Sequence, residues 1–390
     1  MSRRFAVRAG VLAAVATVAL TGGVGSASGF PSATTGWRIV ATLGRNGPAQ
    51  HGGLVATGPT DAFSAWCCVY TPSSTDFVLH WNGRHWGKIA LPAAMNANVG
   101  WQLVTMGASS SSNMWVFANN NGGLASIDKI GIWNGSRWTV RTLPGWVLPI
   151  ARSGFATGQA VVFGPGNVWV LGGEGLFGPI AVAAHFSGGV WHRVSLPAAP
   201  YANAVSAIGL EEIWATGFTK QSLKSAHPVW TVMHWNGSAW RTVALPKASV
   251  PTGDSVSYGS PVATGPRSVW LVRTIWSGRT LLSTALLHWD GSWHVPVRVP
   301  LATTGIGQIS QDGHGGLWMQ AWQRSSSSYR EYLYHYAGGV WSRESVPAMT
   351  GTQASIFNMT WIPGTRSLWA IGTLTTSGGV VTGDILKYGP

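Results

Sequence analysis

The chain has 390 residues, is 45% hydrophobic and only 9% charged, and carries 24 Trp. So many aromatics with so few charges exclude a disordered chain and require a folded, β-rich protein with a surface of Gly, Ser, Thr and Asn. The formal net charge is +13, but Lys and Arg are scattered without a cluster, so no nucleic-acid interface is expected.

The first residues carry a basic start (Arg3, Arg4, Arg8), an apolar stretch from Val11 to Leu20 and small residues around Ala27. That order is the layout of a secretory signal peptide. It is assigned to residues 1–28, with residues 29–36 as a short linker. The apolar stretch is too short to span a bilayer comfortably, and no second segment of membrane length follows. The expectation is a secreted protein without a stable membrane span.

From Trp37 onward the chain repeats itself. "HWNGRHWGKIALP" at 80 recurs as "IWNGSRWTVRTLP" at 132, "HFSGGVWHRVSLP" at 185, "HWNGSAWRTVALP" at 234, "HWDGSWHVPVRVP" at 288 and "HYAGGVWSRESVP" at 335. Three aromatic columns follow from this alignment. The first is Trp66, Trp115, Trp169, Trp214, Trp270, Trp318 and Trp369. The second is Trp81, Trp133, Phe186, Trp235, Trp289, Tyr336 and Tyr388. The third is Trp86, Trp138, Trp191, Trp240, Trp293 and Trp341. Fixed-period similarity of this kind marks a repeat architecture.

Each unit reads as four short strands. A first strand such as "PVATG" leads through a tight turn into a second strand carrying the first Trp. A variable loop precedes a third strand ending in His-Trp. An Asn-Gly turn, expected to place both its residues at positive φ, then reverses the chain into a fourth strand closed by Pro. Four strands per unit and seven units predict an all-β, seven-bladed β-propeller over residues 37–390. The last unit stops one strand short at "ILKYGP". The missing copy is at the other end, in "GWRIVATLG", so the N-terminal strand is expected to complete the seventh blade and close the ring, leaving no open edge.

These phrases resemble the repeats of secreted actinobacterial propellers of uncharacterised function and, more distantly, kelch and galactose-oxidase-like propellers. The paired glycines of kelch blades occur in register only at Gly172-Gly173. The "ISQDGHGGLWMQAW" of the sixth unit is similar to the Asp-Gly-x-x-Trp turn of sensor- and sialidase-type propellers. These resemblances imply architecture and assign no reaction.

Chemistry has few places to reside. Twelve acidic residues serve the whole chain, and several, such as Asp61, Asp290 and Asp312, are explained as turn residues. A glycosidase needs two carboxylates flanking one bond, and nothing in the sequence brings two together. Six Arg recur in fourth strands (Arg38, Arg141, Arg193, Arg241, Arg298, Arg343), where charge protects an outer edge. The histidine column His80, His185, His234, His288 and His335 is expected to be structural, because third-strand positions in different blades cannot converge on one ion. No metal and no cofactor are expected. Cys67 and Cys68 are the only cysteines; buried thiols and a strained vicinal disulfide both remain open.

With Trp37 counted in the third column, six Trp fall outside the columns. Trp146 is placed on a connection between blades and Trp276 on a loop between second and third strands, two loop classes that emerge on one face of a propeller. The same face is expected to carry Tyr70, Asn120, Glu174 and Arg279, polar groups suited to hydroxyl-rich ligands. The resulting expectation is a monomeric, exported, non-enzymatic propeller that binds a glycan or cell-surface component through this loop face. Its alternatives are a carbohydrate-active hydrolase or lyase and a protein–protein scaffold at the cell envelope.

Overall fold

The computed structural model describes residues 36–45, 50–67, 76–96, 101–120, 129–144, 146, 148–149, 160–174, 180–197, 201–218, 229–299, 305–324, 329–346, 353–375 and 381–390. The signal peptide and nearly all of the linker assigned from the sequence lie outside them, as do Tyr70 and Cys68.

Seven antiparallel sheets follow one another along the chain. Blade 1 runs Gln50–Gly58, Asp61–Cys67, Phe77–Trp81, Trp86–Ala90, and blade 2 runs Trp101–Ser110, Asn113–Asn120, Lys129–Trp133, Trp138–Thr142. Blade 3 comprises Ala160–Gly164, Asn167–Glu174, Ile180–Ser187 and Val190–Ser195. Blade 4 comprises Tyr201–Gly209, Glu212–Phe218, Trp230–Trp235 and Trp240–Val243. The first strand of blade 5 is in two pieces, Ser255–Tyr258 and Val262–Gly265, followed by Ser268–Ser277, Thr280–Trp289 and Val297–Arg298. Blade 6 is Gly305–Gln311, Leu317–Arg324, Tyr329–Ala337 and Val340–Ser345. Blade 7 takes Gln353–Trp361, Leu368–Thr375 and Val381–Tyr388 from the C-terminal end and Trp37–Arg45 from the N-terminal end. That last strand pairs antiparallel with its neighbour, Trp37 opposite Tyr388 and Arg38 opposite Lys387. The protein is a seven-bladed β-propeller closed by its N-terminal strand.

The aromatic columns now have a physical meaning. Outside blade 1, the first-column rings reach toward the next blade and meet the second- and third-column rings of that blade. Trp369 of blade 7 meets Trp81 and Trp86 of blade 1, both at 5.2 Å between centroids. Trp169 meets Trp235 and Trp240 at 4.8 and 6.0 Å, and Trp318 meets Tyr388 and Trp37 at 4.5 and 5.9 Å. Large flat rings fill the wedge between twisted sheets, in tilted or edge-on contacts that aromatic quadrupoles favour. A buried aromatic hides ~150–250 Å², roughly 4–6 kcal/mol as an upper bound.

One column member is corrected. In blade 1 the residue opposite the column histidine is Phe63, paired with His80, while Trp66 sits three residues further on, opposite Phe77. An odd offset reverses the face in a strand. Phe63 therefore packs toward blade 2, and Trp66 joins Trp369, Ile371 and Ile385 of blade 7.

The Asn-Gly turns also differ from expectation. Only their glycines take positive φ (Gly83 at 89°, Gly135 at 93°, Gly237 at 90°). The loops are four residues long, and each Asn caps its own turn: Asn82 Oδ1 accepts from the N–H groups of Arg84 and His85 at 3.0 and 3.1 Å. The two-residue turns with both residues at positive φ are the Gly-Gly ones, Gly188-Gly189 and Gly338-Gly339.

The histidine column packs into its blades, as expected of third-strand positions. His80, His185, His234, His288 and His335 stack on the first-column ring of their own blade at 4.1–4.4 Å. Each Nε2 meets a polar side chain at or near the start of the second strand: Asp61, Asn167, Glu212, Ser268 and Asp312 in turn. The histidine thus ties the aromatic wedge to the turn beside it.

Candidate functional site on the loop face

The seven first strands surround an axial cavity of about 620 Å³. Thr105, Ser206, Ser260, Gln308, Asn358 and Thr360 supply polar atoms to its wall, between alanines, valines and glycines. None of the lining residues is Asp, Glu, Lys, Arg or His. A neutral wall rich in hydroxyl and amide groups suits an uncharged polar ligand and supplies no carboxylate for acid–base work.

Next to Gln308 of this cavity, where blades 6 and 7 meet, stands a buried polar cluster. Successive outward-facing positions on the second strand of blade 6 are Trp318, Gln320 and Trp322, all directed toward blade 7. Gln320 is 3% exposed. Its Nε2 donates to the Ile356 carbonyl at 2.6 Å and to Glu331 Oε1, and its Oε1 accepts from the Gln308 N–H at 3.1 Å. Glu331, opposite Trp322 in the sheet, reaches across the interface. Its Oε2 accepts from the Ile356 N–H at 2.9 Å, and Ser355 Oγ donates to Oε1 at 3.4 Å. Burial drives its pKa up to about 7, against these hydrogen bonds, which pull it down.

Two glycines make room for this arrangement. A methyl group on Gly305 would overlap the indole of Trp322, and one on Gly307 would overlap the Gln320 amide and the same indole. The half-buried Trp322 therefore lies directly against the first strand of its blade. An aromatic ring beside a carboxyl group with a pKa near neutrality is a recognised combination at polar binding sites.

The residues singled out from the sequence are spread over several blades, and none lines the axial cavity. Trp146 is half-buried and packs into the cluster between blades 2 and 3 that contains Leu143 and Phe186. It precedes Leu148–Pro149, which pair with Gly173 and Gly172 beside Glu174. Trp276 corrects its assignment to a loop: it lies within the second strand of blade 5, opposite Leu281, and its Nε1 donates to Thr274 Oγ1 at 2.9 Å. The connection there is a tight hairpin, so Arg279 is exposed at its tip and Trp276 is held in the sheet. Asn120 and Glu174 end the second strands of blades 2 and 3. Tyr70 and the possible Cys67–Cys68 bridge lie outside the described residues and side chains.

The Gln320–Glu331 pair went unnoticed in the sequence, although a signal existed. Two residues after the first-column aromatic, the other blades place Ala65, Phe117, Leu171, Thr216, Val272 and Ile371. A glutamine in that row is an anomaly that the repeat does not explain.

No protein-family model matches the chain, and no curated protein matches it. Among solved structures it is similar to the GH74 enzyme of Niastella koreensis, with a TM-score of 0.57, 11% identity, and coverage of 88% of this chain and 53% of that one. It is similar to a puromycin-hydrolyzing peptidase of Mycobacterium tuberculosis, with a TM-score of 0.52, 12% identity, and coverage of 86% and 55%. An ulvan lyase of a new polysaccharide lyase family, PL25, has a TM-score of 0.54, 12% identity, and coverage of 88% and 95%. The chain thus spans about half the length of the first two. At these identities the similarity is one of fold. Among the described residues no helix is long and apolar enough to cross a membrane.

Proposed function

We propose that this protein is an exported, non-enzymatic propeller that binds a glycan of the cell surface through its loop face, at the junction of blades 6 and 7. The observation that carries the reading is the contact of Trp322 with Gly305 and Gly307 beside the Gln320–Glu331 pair, which adjoins the uncharged cavity through Gln308. Sugar rings present apolar C–H faces to an indole and hydroxyls to a carboxyl group, which Trp322 and Glu331 supply side by side. The chain's low charge fits a neutral, hydroxyl-rich partner.

A second reading, a hydrolase or lyase, draws on the near-neutral pKa of Glu331, which suits a general acid or base. The hydrogen-bond partners of Glu331 are Gln320, Ser355 and Ile356, none of them a carboxylate. Glycoside hydrolysis by the usual route requires a second carboxylate, so binding is the preferred reading.

The test is binding of the mature chain to a panel of soluble and insoluble polysaccharides, peptidoglycan included. Trp322→Ala and a Trp146→Ala, Trp276→Ala double variant are run beside it. Loss of binding in a Trp322→Ala protein that melts normally supports the site. Loss only in the double variant moves the site to blades 3 and 5. No binding to any glycan overturns the reading, and release of reducing or unsaturated sugar ends replaces it with the enzyme.

A further inference from the structure

The six hairpins between third and fourth strands lie on the face opposite the candidate site, and one of them departs from the pattern. In blade 5 the sequence "HWDGSWH" is one residue shorter between its aromatics than "HWNGRHW" or "HWNGSAW". Trp289 and Trp293 still bridge across the shortened loop, as the paired aromatics do in the other blades, and the His294 N–H donates to the His288 carbonyl at 2.9 Å. His288 and His294 therefore become cross-strand neighbours, their rings stacked at 5.1 Å between centroids.

The turn acid gains a partner as well. In blades 1, 2 and 4 the equivalent Asn turns its side-chain oxygen back onto the N–H groups of its own turn. In blade 5 Asp290 directs Oδ2 to His294 Nε2, 2.7 Å away. One nitrogen of each histidine and one oxygen of Asp290 lie within 4.8 Å of one another. Ser268 Oγ, 3.0 Å from His288 Nε2, fixes the orientation of that ring, the kind of outer contact that positions ligating histidines. Asp290 and His294 are about half exposed, with side chains at 48% and 51%, so solvent has direct access.

We infer that His288, Asp290 and His294 form a binding site for a borderline divalent cation of the zinc and copper class. Two imidazoles and one carboxylate are a donor set such ions prefer over calcium or magnesium. Ligands from different blades cannot converge, but these three share one hairpin and need only side-chain rotation to meet one ion. Three protein ligands leave the remaining coordination positions to water or to a donor from a partner. The site is independent of the glycan reading, since it lies on the other face.

Blade 3 provides an internal control. His185 and His192 are also cross-strand neighbours, but their turn is Gly188-Gly189 and contributes no acid. The experiment is titration of the tag-free mature chain with Zn²⁺ by calorimetry and with Cu²⁺ by electron paramagnetic resonance. The expected result is one saturable equivalent with two nitrogen donors at Cu²⁺. It should be lost in His294→Ala, weakened in Asp290→Asn and retained in His192→Ala, all with unchanged melting in the absence of metal. Absence of saturable binding, or retention of the equivalent in His294→Ala, overturns the proposal. Loss in His192→Ala with retention in His294→Ala assigns the ion to blade 3 and overturns it equally.

Discussion

Trp37 and Trp318 meet edge to face, ring centroids 5.9 Å apart and planes at 89°. One comes from the first described strand of the chain and the other from blade 6, and their contact is part of the wedge that closes the ring between blades 6 and 7. Closure here is entirely non-covalent, and it rests on a strand that is last in space and first in sequence. Truncating Trp37 to Ala should cost about 3 kcal/mol, at the lower end of the range for a large aromatic because the ring is only partly buried. Removing residues 37–45 should abolish the cooperative transition. Thermal unfolding followed by Trp fluorescence checks both. A deletion that melts like the parent would sink this account of closure.

Glu331 predicts a pH dependence of stability. Its folded pKa is about 7 because burial penalises the charge, whereas an unfolded chain restores the usual value near 4.5. Between those values the folded state holds more protons, so stability falls as pH rises from about 4.5 to about 7, by up to about 3 kcal/mol. His185 and His288, whose pKa values are lowered first of all by burial, act in the opposite sense over part of the same range. The comparison is therefore between wild type and Glu331→Gln, melted at intervals from pH 5 to pH 8. The wild type should lose ground relative to the variant as pH rises; parallel curves would contradict the assignment.

Asp312 acts on the acid side. Burial alone would raise its pKa, but hydrogen bonds from His335 and from the N–H groups of His314 and Gly316 outweigh burial and hold it below the ordinary range. Its contribution is present above the unfolded pKa and is lost as pH falls below about 4. His335→Ala removes both this partner and the ring stacked on Trp318, and should destabilise by about 2 kcal/mol at neutral pH. Urea titrations at pH 7 and pH 3.5 should show that penalty shrinking at the lower pH.

Gly383 and Trp66 should behave as a matched pair. A methyl group on Gly383 would stand 2.9 Å from the far edge of the Trp66 ring, which overpacking data price at about 1–3 kcal/mol. Trp66→Phe removes those ring atoms. In a double-mutant cycle Gly383→Ala should be costly in wild type and nearly neutral beside Trp66→Phe. Additive effects would mean that the strain is relieved elsewhere.

Much of the architecture was legible because it rests on residues recurring at fixed registers, and a propeller repeats its packing problem seven times. The misassignment of Trp66 has a simple cause: "FSAW" holds two aromatics three apart, and composition favours the larger ring while register selects Phe63. The Asn-Gly turns misled in a similar way, since side-chain capping by Asn82 replaces the positive φ that a two-residue turn would demand. The cluster at Gln320 and Glu331 was hidden for a different reason. Its partners, Ser355 and Ile356, belong to the next blade, and contacts across a blade interface leave no spacing in the sequence. Only the break in an otherwise largely apolar row betrayed it.

The splice in blade 7 also decides which way the molecule points. Trp37 lies opposite Tyr388 at the hairpin end of its sheet, and the Arg38 guanidinium donates to the carbonyl of Gly389 beside it. Both ends of the folded chain therefore leave from the face that carries the blade 5 hairpin. Trp322, at the other end of its blade, is thereby kept away from the strand ends that close the ring.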